Sequence, residues 1–229
     1  MDPSHPLDRP AWSALTSRQA HLALGDERAL RFDPDYAQFS GAADRSPESL
    51  AALGALNISP NGLGLIEAGE PLTPPGAVVR SSSAGVQMVA ASLTPGGGDA
   101  LFEPLGDADA ADMLALATLT APGPFFSKTH RLGDFIGVKI DGRLVAMAGE
   151  RMKPEGFTEV SGVCSHPEFR GRGYAGSLMR VVTARILARG EQAFLHAYAT
   201  NTAAIALYET LGFRVRTPVT YTVFEGPTA

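Results

Sequence analysis

Residues 157–178, FTEVSGVCSHPEFRGRGYAGSL, decide how the rest of the chain is read. The stretch opens with strand character at Val160, Val163 and Cys164 and stops at His166-Pro167, because proline has no N–H to give a ladder. Arg170-Gly171-Arg172-Gly173-Tyr174-Ala175 comes next, followed by a pattern of helical period through Tyr174, Leu178, Val181, Val182, Arg185 and Ile186. Strand, glycine-rich turn and helix start are a physical recipe for holding phosphate. Glycines let the backbone approach an anion, and the first N–H groups of a helix lack carbonyl partners. The helix dipole and the two arginines add positive potential.

Two well-known phosphate loops fit poorly. A Walker A loop needs Gly-x-x-x-x-Gly-Lys-Ser/Thr, and that lysine is missing. Gly171 to Gly176 matches Gly-x-Gly-x-x-Gly, but a dinucleotide turn opens a long run of βαβ units, and here about fifty residues remain. Arg170-x-x-Gly173-x-Ala175 instead resembles the pyrophosphate signature of the GNAT superfamily of acetyl-CoA-dependent N-acyltransferases, Gln/Arg-x-x-Gly-x-Gly/Ala. Val163 to Gly173 is similar to that family's fourth strand and turn. Asn201-Thr202-Ala203-Ala204-Ile205-Ala206-Leu207-Tyr208-Glu209-Thr210-Leu211-Gly212-Phe213 is similar to its second block. The resemblance covers roughly residues 99–229 and says little about the start of the chain. It implies an α/β (α+β) fold with a mixed, mostly antiparallel sheet flanked by helices. Residues 1–95 are then expected to be an N-terminal accessory region, with a degenerate copy of the same fold as one form it could take, and residues 99–229 the acetyltransferase domain.

Composition narrows the classes. With 45% hydrophobic and 19% charged residues in 229, the chain has the material for a proper core. A net charge of −5 speaks against nucleic acid, which wants a basic face, and suits a neutral or cationic acceptor. One cysteine excludes an internal disulfide. Residues 1–18 lack the basic-then-apolar plan of a signal peptide, and no apolar run reaches the length of a membrane span. The expectation is a cytoplasmic enzyme with no membrane partner.

Along the chain, Trp12, Leu15, Ala20, Leu22 and Leu24 predict a first helix stopped by Gly25. Arg31 to Ala43 reads as a packed loop. Ser46-Pro47 opens a second helix, with a capping serine and proline at the first helical position. Leu63 to Glu67, Ala77 to Val79 and Val86 to Val89 are short strand candidates, and Thr94-Pro95-Gly96-Gly97-Gly98 reads as a linker. Beyond it come a strand at Leu101 to Leu105, a helix through Met113 and Leu116 capped by Asp107 or Asp109, and a mobile loop from Thr120 to Gly133. Asp141-Gly142 between two apolar runs predicts a hairpin. After residues 157–189, a strand at Ala193 to Tyr198, a helix at Thr202 to Leu211 and a strand at Val219 to Phe224 close the chain.

The resemblance also implies how a site would be built. The strands holding Val163 and His196 splay apart, and the pantetheine arm of acetyl-CoA pairs with backbone groups near Val163, Cys164 and Ser165. The pyrophosphate rests on the N–H groups of Gly171 to Ala175, with Arg170 and Arg172 nearby and Tyr174 at the helix start. Asn201 holds pantetheine, caps its helix, or both. Tyr208, seven residues beyond Asn201, is the candidate acid for the departing thiolate, since a phenol stays protonated at neutral pH. Glu159, eleven residues before Arg170, is the candidate base, expected to carry a raised pKa beside an apolar cleft and to share a strand face with Ser161 and Val163. Glu150 and Glu103 are weaker candidates. Cys164 reads as a small core residue, His196 as a core histidine that could touch acceptor, and no histidine spacing suggests a metal. The reading is an N-acetyltransferase acting on a primary amine of a small molecule or peptide, by direct attack. The alternative is a non-catalytic module that senses acetyl-CoA or serves as a scaffold. A homodimer stays open, since no exposed stripe points to one.

Overall fold

The computed structural model describes residues 5–95 and 101–227, so Gly96 to Gly98 of the expected linker lie outside the described residues. Pro10 takes the first position of helix α1 (Pro10–Leu15), which is far shorter than the helix expected there. Hydroxyl groups end it: Thr16 Oγ1 donates to the Trp12 carbonyl at 2.8 Å and Ser17 Oγ to that of Ser13 at 2.5 Å. After a 3-10 turn at Ala20–Leu22 comes a hairpin, β1 (Ala23–Asp26) and β2 (Ala29–Phe32), and then β3 (Ser40–Ala42). Gly25 therefore lies in a strand rather than after a helix. Its φ of 123° and an Ala29 carbonyl 2.2 Å from where a Cβ would sit exclude any other residue. The expected packed loop at Arg31 to Ala43 is mostly these two strands and their connection.

Helix α2 (Pro47–Ala55) starts as expected, with the Ser49 N–H donating to Ser46 Oγ at 3.2 Å. β4 (Leu63–Ala68) is followed by β5 (Val79–Ala90), one twelve-residue strand where two short ones were expected. Next come β6 (Glu103–Leu105), α3 (Ala110–Thr120), β7 (Phe135–Ile140) and β8 (Arg143–Glu150). The β7–β8 turn has φ 52° at Asp141 and 79° at Gly142, the paired positive values that a two-residue hairpin requires. β9 (Phe157–Ser165), α4 (Tyr174–Ala188), β10 (Gln192–Tyr198), α5 (Thr202–Leu211) and β11 (Arg214–Phe224) complete the chain.

Eight strands form one sheet in the order β4-β11-β5-β10-β9-β8-β7-β6, and β1-β2-β3 form a small second one. Neighbours in the large sheet are antiparallel except β9 and β10, which are parallel. Helix α4 buries Leu178, Met179, Val182 and Ile186 against one face, on Val138, Val145, Val160 and Leu195. On the opposite face α3 packs Met113 and Leu116 on Phe135 and Met147, and the N-terminal layer packs Leu7, Leu15, Phe32 and Phe39 on Ile66, Phe194 and Val219.

The place of β5 corrects the expectation of a merely accessory N-terminal region. It lies between β10 and β11 and pairs with both, and β4 pairs with β11. The stretch before residue 95 thus supplies two strands of the central sheet. It is not a second copy of the fold either. A copy would carry a sheet of its own around a parallel pair, whereas among the described residues of this stretch parallel pairing amounts to the isolated bridge from Phe39 to Gly64. Among the described residues, no helix is long and apolar enough to cross a membrane.

Candidate active site

A gap in the sheet makes the site. β10 follows β5 as far as the pair Tyr198–Gly85, and β9 follows β8 as far as Ser165–Ala146. Yet β9 and β10 pair with each other only from Phe157–Gln192 to Glu159–Phe194. Beyond Glu159 they separate into a wedge.

A bulge shapes β9 at that point. Gly149 faces Ser161 and Met147 faces Cys164, so β9 uses one residue more than β8, and Gly162 sits there at φ 64°. A Cβ on Gly162 would come 2.9 Å from the Phe135 ring. The extra residue reverses the alternation of side chains. Val163 joins Val160 on the α4 side, and Cys164 packs with Leu144 and Met147 on the α3 side. Val163 therefore does not share a face with Glu159, as strict period-two counting implies. The His166 N–H donates to Val145 of β8 at 2.8 Å, so the backbone groups of Val163 and Ser165 turn the other way, into the wedge.

On the α4 side the wedge opens into a cleft lined by Val163, Cys164 and Ser165, by Phe169 through Gly176, and by Asn201, Leu207 and Tyr208. Gly171 and Gly173 have φ of 76° and 79°, and Cβ atoms there would meet nothing within 4 Å, so both face open space. Gly173 precedes the first turn of α4 without a side-chain cap, and the residues of that turn, Tyr174 to Gly176, line the cleft. Arg170 is exposed, with Nε 3.4 Å from the Ser165 carbonyl, and the exposed Arg172 lies 4.7 Å over the Phe169 ring. The donor set fits a pyrophosphate and an extended amide chain. Asn201 caps α5 by accepting from the Ala204 N–H at 3.3 Å, and it also lines the cleft.

A second cleft lies on the opposite side of the gap, walled by Phe39, Ile66, Val219 and Tyr221, with Pro122, Gly123 and Pro124 from the expected loop. The two clefts share Pro122, Val163, Tyr198, Asn201 and Tyr208. Tyr208 thus stands at their junction, and burial pushes its phenol up from the ordinary value of 10.0.

Glu159 is buried and lines the second cleft, but not as a free carboxylate. Arg151 grips it at both oxygens, Nε to Oε2 at 2.8 Å and Nη2 to Oε1 at 2.7 Å. The Met152 N–H donates to Oε2 at 3.3 Å and His196 Nδ1 lies 2.7 Å from Oε1. Burial alone would push the carboxyl up; Arg151 and His196 outweigh it and bring the pKa down to about 2. The raised pKa expected at Glu159 is therefore overturned, because a bidentate guanidinium stands beside it. Glu150 is buried in ion pairs with Arg189 and Lys153, both away from the cleft, and Glu103 pairs with Lys139 at the sheet's far edge. Burial pushes the Cys164 thiol up to about 11, which suits a core residue and not a nucleophile. His166 accompanies Arg143 and Glu168, and among the described residues no cluster of metal-ligating type occurs.

Several members of the site are not visible in the sequence. Gln87, from β5, donates to His196 Nε2 at 3.0 Å and to the Leu7 carbonyl at 2.8 Å, while its Oε1 accepts from Arg216 at 2.9 Å. Phe39 packs 4.5 Å from the Arg151 guanidinium, and Gln38 bonds the Tyr221 hydroxyl. One signal was available: His196 and Glu159 lie on adjacent parallel strands, and the resemblance already placed both near the wedge.

The chain is similar to known proteins. A family model described as FR47-like protein matches residues 136–223. A crystal structure from Novosphingobium aromaticivorans, described as a candidate acetyltransferase of the GNAT family, is 45% identical over 98% of this chain and 100% of its own, with a TM-score of 0.90. A GCN5-related N-acetyltransferase from Kribbella flavida is 16% identical and superposes at a TM-score of 0.62 over 94% of this chain and 96% of its own, which is a likeness of fold. The comparison with curated proteins gives no match. Identity of 45% along whole chains, with the same overall fold, means that this chain belongs to the GNAT family of acetyltransferases.

Proposed function

We propose that the protein transfers an acetyl group from acetyl-CoA to a primary amine by direct attack. The observation that carries this reading is the meeting of two clefts across one gap in the sheet, with Tyr208 lining both. The α4-side cleft holds the donor: its glycine turn and helix start take the pyrophosphate, and the backbone of Val163 and Ser165 pairs with the pantetheine amides. The second cleft holds the amine against the thioester carbonyl, and holding the two together removes much of the entropy cost of a bimolecular step. The amine nitrogen, attacking as the free base, forms the new bond to carbon and loses its surplus proton to water, the C–S bond breaks, and Tyr208 gives its proton to the sulfur and regains one from water. Cys164 takes no part, since its side chain packs in the core. Glu159 is a positioning group that holds Arg151 and His196 rather than a base.

The test is release of free thiol from acetyl-CoA by the full chain across small amines, amino acids and peptides. Release that depends on one acceptor class supports the reading. Tight binding of acetyl-CoA without release from any acceptor would favour the sensing module instead.

A further inference from the structure

Six titratable side chains line the second cleft: Arg151, Glu159, His196, Tyr198, Tyr208 and Tyr221. None of them is arranged to take a proton from an ammonium group. Both Glu159 oxygens already receive donors, two from Arg151, one from His196 and one from the Met152 N–H. His196 is committed on both sides. Gln87 must present its NH2 to the Leu7 carbonyl and its oxygen to Arg216, so it donates to His196 Nε2, which leaves the Nδ1 proton for Glu159. Burial pushes the Tyr208 and Tyr221 phenols up, so both keep their protons and serve as donors.

The charge balance is equally restrictive. Glu159 is the one carboxylate among the lining residues, and Arg151 cancels it. An ammonium entering here would give up its hydration and meet no net negative charge in return. Apart from Ser161 and Asn201, which carry no charge, the other side chains of the walls are apolar or aromatic, with Phe39, Ile66, Val219, Pro122 and Pro124 around the rings of Tyr198 and Tyr221. Such walls favour a flat apolar body that can stack or meet ring edges.

We propose that the acceptor is a weakly basic primary amine on an aromatic body, an arylamine rather than an alkylammonium, and that it enters as the neutral free base. This deepens the acetyl-transfer reading and rests on it. The nitrogen lone pair attacks the thioester carbon, the C–N bond forms and the C–S bond breaks. The surplus proton on nitrogen leaves to water, while Tyr208 protonates the thiolate and is itself reprotonated from water. Amine and thioester thus give amide and thiol, with no external base or oxidant.

The experiment measures thiol release by the full chain with acetyl-CoA and aniline, benzylamine, spermidine or a short peptide with a free N-terminus, from pH 6 to pH 9. Aniline is unprotonated throughout this range. Its kcat/KM is expected to stay level and, at pH 7, to exceed that of benzylamine on the order of a hundredfold, because little benzylamine is free base there. Benzylamine should gain about tenfold per pH unit at the lower end, as its free base does. Benzylamine or spermidine equal to aniline at pH 7, or a level benzylamine profile, overturns the arylamine assignment and leaves acetyl transfer standing. Release with the peptide alone does the same. No thiol from any of the four overturns acetyl transfer itself.

Discussion

Tyr208 and Glu159 look equivalent in the sequence, one candidate acid and one candidate base, and their surroundings separate them. Burial keeps the Tyr208 phenol protonated at the junction of the clefts. Tyr208→Phe keeps the ring and loses the proton, so kcat is expected to fall on the order of a hundredfold with acetyl-CoA affinity unchanged; full activity would retire the acid role. Glu159→Gln should act through stability. It leaves the Arg151 charge buried without its partner, a cost of about 3 kcal/mol, read as a lower midpoint in urea. The shape of the pH–rate profile should not change, and loss of an acidic limb would restore Glu159 as a base. Glu67 carries a different prediction. Burial pushes its carboxyl from 4.5 up to about 7 despite Arg9 and Arg45, and Oε1 is buried without a partner. The folded state then holds this proton more tightly than the unfolded chain, so stability is highest below pH 4.5 as far as this group is concerned. It declines by about 3 kcal/mol as pH rises past 7. Glu67→Gln should flatten that decline between about pH 5 and pH 8, measured by urea unfolding.

Elements with strong local signals formed where the sequence put them. The Asp141-Gly142 hairpin, the strand–turn–helix at 157–188 and the cap at Ser46 all rest on chemistry within a few residues. Elements decided by distant partners were harder to see. Ser81 to Ser83 have little strand preference of their own, yet they lie in β5 because β11 pairs with them. Gly162 looks like any small residue in the sequence, and only the β8–β9 register reveals the bulge that turns Val163. The start of α4 offers a direct test of such local chemistry. Gly173→Asp puts a charge and a Cβ in the open space at φ 79°, so acetyl-CoA affinity should fall at least on the order of a hundredfold by calorimetry. Unchanged affinity would remove the phosphate site from this turn.

For the whole molecule, the interleaving of β5 between β10 and β11 makes the two parts of the chain interdependent. A fragment of residues 99–229 would expose edges of β10 and β11 and the apolar Met88-facing core, and it should show no cooperative thermal transition by circular dichroism. A fragment that melts cooperatively would show that the boundary near residue 95 separates independent folding units. The sequence by itself determined the family resemblance, the glycine-rich turn before α4 and the order of strands and helices from residue 101 onward, because glycine, proline and periodic apolar residues act on their near neighbours. Only the tertiary structure decided the fate of Glu159, the part played by Gln87 and Phe39, and which side chains wall the second cleft. These depend on side chains from Leu7 to Tyr221 meeting across a sheet, and neither burial nor charge pairing between distant residues is written in local pattern.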